Sequence, residues 1–288
     1  MATALEAMLA RHRAVTVAML FLLTVLAWIW LATGAGSGMV PGLSFPAMMP
    51  ASSPSPEMMR GIDNAMGDRT GASMGAMPGM AAAAAPWALP RFLLTFAMWW
   101  VMMVAMMLPS AAPTILLHAR AGNASATGSP PATGTFLAGY LLVWGLFSLA
   151  ATVLQMALER AGIMAGMDMV SVSRPFSAAV LVLAGLYQLS PLKEACLRHC
   201  RNPARFLARH YRPGQTGALR MGLLHGAWCA GCCWLLMALL FVGGVMNLVW
   251  IAFLTLVVAA EKLLPGGRGI AIAGGLACIA WGAWIVLA

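Results

Sequence analysis

Long apolar runs recur along the whole chain, and they leave it little choice of environment. Seven stretches, roughly 14–34, 91–117, 135–158, 176–191, 219–242, 245–262 and 269–287, are apolar enough to lie in lipid. A helix needs about 20 such residues to cross a hydrocarbon layer about 30 Å thick. Backbone polar groups in lipid must be satisfied internally, so only helices or closed barrels cross it. Barrel strands alternate in polarity, and these runs do not. With 61% apolar residues, 9% charged and a mean hydropathy of +0.85, a soluble domain of this length is excluded. The expected fold is all-α: a polytopic membrane helix bundle with about seven transmembrane helices.

Sidedness follows from charge. Arg11 and Arg13 precede the first run, whose apolar part from Ala14 to Leu31 exceeds the 7–15 residues of a signal-peptide core, so an uncleaved anchor is expected. With the N-terminus inside, the inner segments hold twelve Lys and Arg, from Arg11 to Arg268, and the outer segments hold five: Arg60, Arg69, Arg91, Arg160 and Arg174. That is the positive-inside distribution. It assigns the net charge of +9 to topology and anionic lipid, with no nucleic-acid partner. The expected location is a bacterial inner membrane, with a cytoplasmic N-terminus and a periplasmic C-terminus.

Three units are expected: an anchor at 1–34, a Met-rich flexible periplasmic loop at 35–88, and a six-helix membrane domain at 89–288. The last contains a basic, amphipathic segment at 191–213, expected as a helix along the inner membrane face. Residues 122–134 form a second, Gly/Ser/Thr/Pro-rich linker. No internal repeat is evident. Gly269, Gly274, Gly275 and Gly282 would let the last span approach a neighbour closely.

The most specific motif is His225-Gly-Ala-Trp-Cys229-Ala-Gly-Cys232-Cys233-Trp. At about 100° per residue, positions 225, 229, 232 and 233 fall near about 0°, 40°, −20° and 80° on a helix. Four soft or borderline ligands therefore share one face, with Met221 nearby. Polar groups inside a span are costly and usually face the bundle interior. Thiolate and imidazole suit zinc or Cu(I), and thioether favours Cu(I). The competing reading is structural: small apolar fillers and a hydrogen-bonded core histidine.

A second group, Cys196, His199 and Cys200, lies in the basic segment. It joins the first only if that segment tucks inward; otherwise the two are separate stations. Cys278 is read as packing.

Methionine adds a third signal. Nine of 24 fall in the first outer loop, and Met164, Met167 and Met169 in the second. A thioether forms no disulfide, so it can serve as a soft ligand where thiols would oxidise. Thioethers outside and thiols inside make a donor gradient that suits Cu(I) better than zinc, although a low-complexity loop can also gather methionines without purpose. In the second run, Met98, Met102 and Met106 form one row and Met103 and Met107 the next, either as a soft-ion ladder or as adaptable packing. Glu261-Lys262 closes the sixth run, either as an interfacial ion pair or with Glu261 as a functional acid.

The segments MWWVMMVAMMLPSAAP, YQLSPLKEACLRHC, HGAWCAGCCW and VMNLVWIAFLTLVVAAEKL resemble a bacterial domain-of-unknown-function family described as predicted metal-binding integral membrane proteins. The resemblance covers roughly residues 90–265. It implies a metal site at Cys196, His199, Cys200, His225, Cys229, Cys232 and Cys233, and it leaves the Met-rich loop outside.

The expected function is binding, and transport or delivery, of a soft transition metal through a Cys/His/Met site. Copper is the expected ion and zinc the alternative. The candidate donors are His225, Cys229, Cys232, Cys233, Cys196, Cys200, His199, Met102 and Met106. Partners are the bilayer and a metallochaperone or metalloenzyme. No phosphate-cradling loop and no Ser/His/carboxylate set occurs in the sequence, so no enzymatic activity is expected. Two alternatives stay open. Cys229-x-x-Cys232 has the spacing of a thiol–disulfide conduit. The same donors would also serve an assembly factor for a metalloenzyme.

Overall fold

The computed structural model describes residues 2–36, 42–43, 87–123, 132–165 and 169–288. Most of the Met-rich loop, Met167, and most of the 122–134 linker lie outside these residues. The described chain is all-α apart from one short antiparallel pair. In order, the elements are α1 (Ala2–Ala32), α2 (Leu89–Asn123), α3 (Thr133–Arg160), β1 (Met164–Ala165), β2 (Val170–Ser171), α4 (Arg174–Leu189), α5 (Pro191–Arg201), α6 (Pro203–His210), α7 (Gly214–Ala238), α8 (Leu240–Gly243), α9 (Leu248–Leu263) and α10 (Gly267–Leu287).

Among the described residues, five helical stretches are long and apolar enough to cross a membrane: Ala14–Ala32, Leu89–Ala121, Thr133–Arg160, Gly214–Gly243 and Gly267–Leu287. The expected fourth span is a bent pair: α4 and α5 meet at 65°, and they would add a sixth crossing if the pair is one broken span and not a re-entrant loop. The expected sixth span is α9, whose 16 residues reach about 24 Å at 1.5 Å per residue. The expectation of about seven thus becomes five or six by length, with α9 a shorter helix among them.

The bend has a local cause. Pro191 pushes the preceding residue out of the helical region, and Ser190 is extended at φ −72°, ψ 150°. The Ser190 hydroxyl then accepts from the Lys193 amide at 3.2 Å and starts α5. Two residues after Cys200, Asn202 leaves helical geometry and Pro203 begins α6. The basic segment is therefore two short helices. It tucks inward, because α5 packs against α7 and α6 against α2.

Close helix pairs organise the bundle: α1 with α2, α3 with α7, and α4 with α10. Glycine allows the second approach. A Cβ at Gly139 would lie 2.6 Å from the Leu219 carbonyl oxygen and 2.9 Å from the Leu223 amide nitrogen. In α10, Gly275 and Gly282 meet α4 closely as expected, while Gly269 has nothing near it.

One end of the α2–α3 pair is fastened by Arg91 and Glu159 at 2.7 Å, with Trp87 donating to the same carboxylate oxygen at 3.1 Å. From the first loop, Gly42 pairs with the turn before α9: its amide donates to the Met246 carbonyl, and its carbonyl accepts from the Leu248 amide.

Candidate metal centre

The sulfur-rich motif lies on α7, where Met221, His225, Cys229, Cys232 and Cys233 are all buried. They face α2, α3, α5 and α9. Near the middle of α2, between Pro109 and the aromatic Trp99–Trp100 pair, Met107 presents its side chain to α7. Its sulfur lies 3.9 Å from the Cys233 sulfur. The Met107 carbonyl accepts hydrogen bonds from the Ser110 hydroxyl at 2.9 Å and the Tyr140 hydroxyl at 3.2 Å. The Tyr140 hydroxyl also lies 3.2 Å from the Cys229 sulfur. One phenol thus joins α2, α3 and α7 at the thiol face.

Lys262 completes this cluster. Its ammonium sits 3.0 Å from Cys229 Sγ, 3.4 Å from Ser110 Oγ, 3.8 Å from Met107 Sδ and 3.9 Å from Cys233 Sγ. The residue is buried, with 5% of its surface exposed. An ammonium out of water is costly without a compensating charge, and no carboxylate takes that role here. The partner of Glu261 is instead Lys193, at 2.6 Å, and Gln188 donates to its other oxygen at 2.8 Å. Glu261 is thus in an ion pair, as one of the two readings had it, but the pair is buried and its cation is Lys193. A helix turns adjacent side chains about 100° apart, so Glu261 faces α4 and α5 while Lys262 faces the sulfurs.

Cys232 takes a different direction. Its sulfur lies 4.0 Å from Cys200 Sγ on α5, and its thiol donates to the Cys229 carbonyl at 3.1 Å. The inward tuck of α5 thus brings one cysteine of the second group against the first. Cys196 packs over Gly231, near enough that a Cβ there would sit 3.2 Å from its sulfur. His199 is turned away: its ring stacks on Trp228 at 4.2 Å and 3°, and its Nδ1 contacts the Ala195 carbonyl at 2.8 Å. All six cysteines are free thiols.

His225 is 2% exposed and lies among the rings of Tyr140, Phe136 and Phe206, with centroids 5.8, 6.1 and 5.3 Å away. It is a core histidine as the structural reading had it, but its Nδ1 has no hydrogen-bond partner among the described residues. Met102 and Met106 are buried in the core, one helical face away from the row that carries Met107. His118 on α2 escaped the sequence reading. It is buried, stacks on Phe136 at 4.8 Å and has an unpartnered Nδ1.

Among the described residues, no three His, Cys, Asp or Glu side chains form a ready-made ion-holding group. The donor chemistry is instead thiol plus thioether: Cys229, Cys233 and Met107 around Lys262, and Cys200 with Cys232 beside them. Thiolate and thioether are soft ligands, which suit Cu(I), zinc and iron–sulfur clusters over hard cations.

A family model described as PpoB2, copper chaperone, matches residues 96–285. No curated protein and no solved structure matches the chain. The matched stretch contains Met107, Tyr140, the cysteines and Lys262, and starts beyond α1 and the Met-rich loop. Its description agrees with the metal link that the sequence resemblance implied and gives the chain a copper-related role. It covers well over half of the chain, which therefore belongs to the family described as copper chaperones.

Proposed function

We propose that this chain is a membrane protein that takes Cu(I) as cargo at Cys229, Cys233 and Met107 and exchanges it with the Cys200–Cys232 pair. The carrying observation is the Lys262 ammonium 3.0 Å from the Cys229 sulfur. Cu(I) held by two thiolates carries one net negative charge, and Lys262 cancels it inside a low-dielectric bundle. Charged groups in such a place are retained for function. A zinc ion on the same two thiolates would be neutral, and a third, positive charge beside it would be uncompensated. The charge balance thus favours Cu(I).

The Cys200–Cys232 pair suits a transfer station. A metal–sulfur bond of about 2.3 Å separates two sulfurs by about 4.0 Å around a three-coordinate ion, and theirs are 4.0 Å apart. Cys200 is only partly buried and Cys232 is buried, so the pair links the inner cluster to the edge of the bundle. His225 and Cys196 flank the route. The basic α5 and α6 would face the cytoplasm by the positive-inside rule, with an acceptor metallochaperone or metalloenzyme there and Met-rich capture on the other side. The role is binding and delivery, without catalysis.

Elemental analysis of the full chain, purified in detergent and loaded with Cu(I), tests this. We expect bound copper that is lost on Cys229→Ser plus Cys233→Ser. Copper content unchanged by that pair would sink the proposal. The thiol–disulfide alternative draws on the same 4.0 Å pair. It predicts a trapped mixed disulfide through Cys200 or Cys232 with a partner protein, and copper-independent activity.

A further inference from the structure

The copper reading leaves the angle between α5 and α6 unused, and that angle holds a cavity of about 220 Å³. Its walls include Arg198, His199 and Asn202 from α5 and its end, and Arg205, Arg209 and His210 from α6. The spacing explains the convergence. Positions 198 and 202, and positions 205 and 209, are four apart, so each helix turns one face inward, and the break at Asn202–Pro203 folds the faces together. No acidic residue lines the cavity.

The arginines there differ from their neighbours. Arg201 donates to the carbonyls of Leu264 and Pro265, and Arg268 pairs with Glu194 at 3.4 Å. Arg198, Arg205 and Arg209 make no hydrogen bond or ion pair with any described residue. The two histidines are fixed as walls: Nδ1 of His199 bonds the Ala195 carbonyl, and Nδ1 of His210 the Phe206 carbonyl at 2.9 Å. Three uncommitted guanidiniums around one concavity repel each other and exclude a cation. Each presents a planar fork of donors that matches phosphate oxygens.

We infer that the α5–α6 angle is a binding site for a phosphate group, formed by Arg198, Arg205 and Arg209. The same chemistry is offered by an anionic lipid headgroup and by a free phosphate. The site stands independently of the copper reading. Phe206 links the two in space, with its ring 5.3 Å from that of His225.

Titration of the delipidated full chain in detergent separates the sources, with inorganic phosphate in one arm and phosphatidic acid in the other. Saturable binding is expected in at least one arm, weakened about tenfold or more by Arg205→Gln plus Arg209→Gln, as loss of charge-assisted hydrogen bonds implies. A charge-matched control, Arg120→Gln plus Arg160→Gln, should bind as the unmodified chain does. Binding of phosphate identifies a soluble ligand; binding of phosphatidic acid alone identifies a headgroup. Absence of saturable binding in both arms, or equal weakening by the control pair, overturns the inference. If the Gln pair does not fold, Arg205→Lys plus Arg209→Lys carries the test, because it keeps the charge and loses the fork. Unchanged binding by that pair then overturns it.

Discussion

The ammonium of Lys262 lies 3.0 Å from the sulfur of Cys229, across two helices and 33 positions of sequence. This contact sets a cation in the middle of a soft-donor cluster. It also makes the charge of that cluster depend on what the cluster holds.

Replacing Lys262 by Met removes the counter-charge and keeps the length of the side chain. Two unit charges about 4 Å apart interact by about 4 kcal/mol at an effective dielectric of 20. We expect Cu(I) affinity to fall between about tenfold and a few hundredfold, read by competition with a Cu(I) chelator. Copper content at saturation should stay the same. Equal affinities in the two proteins would remove Lys262 from the site.

The two thiol groups should separate under mutation. Cys229→Ser should abolish copper retention, because that sulfur is the one bonded to both Tyr140 and Lys262. Cys200→Ser should leave retention nearly intact and slow release to an acceptor thiol. Stopped-flow transfer to a dithiol chelator reads the difference. Cys278→Ser should change neither, since Cys278 lines a separate apolar cavity with Trp250 and Trp281. Copper loss on Cys278→Ser would contradict the assignment.

The buried Lys193–Glu261 pair carries a stability prediction. Lys193 is fully buried and Glu261 nearly so. Lys193→Met leaves a carboxylate without its cation and should cost about 3–5 kcal/mol. Lys193→Met plus Glu261→Leu should recover most of that loss, because neither half of the pair is then left as an uncompensated buried charge. Thermal denaturation in detergent, followed for both variants, checks this. A double variant no more stable than the single one would show that the pair is not acting through its charge.

Helix approach can be tested at Gly139. Its α3 backbone meets α7 so closely that Gly139→Ala should force the helices apart, at about 1–3 kcal/mol. That displacement moves Tyr140 away from Cys229, so copper affinity should fall together with stability. Gly134→Ala, with nothing within 4 Å of its Cβ, is the control. Unchanged melting and copper binding in Gly139→Ala would refute the close-approach argument.

Much of the bundle was legible because lipid solvation acts on composition and run length alone. The apolar runs, the break at Pro191, and the shared face of His225, Cys229, Cys232 and Cys233 follow from periodicity and backbone chemistry. The sixth run was less legible in kind than in place: α9 is helical, but its 16 residues fall short of a full crossing, and run boundaries in sequence do not show where capping begins. Asn247 starts that helix by accepting from the Trp250 amide at 3.0 Å.

The amino-acid sequence by itself determined that this chain is built of apolar helices and that soft donors cluster on one of them, because both depend on local spacing. Only the tertiary structure decided which donors meet. Rotation of α2 brings Met107, and not Met102 or Met106, to Cys233. The bend at Ser190 carries Cys200 to Cys232 and turns His199 away. The twist of α9 parts Glu261 from Lys262, sending one to Lys193 and the other to Cys229. These pairings span tens to more than a hundred residues, and no local rule fixes the relative rotation of helices that far apart.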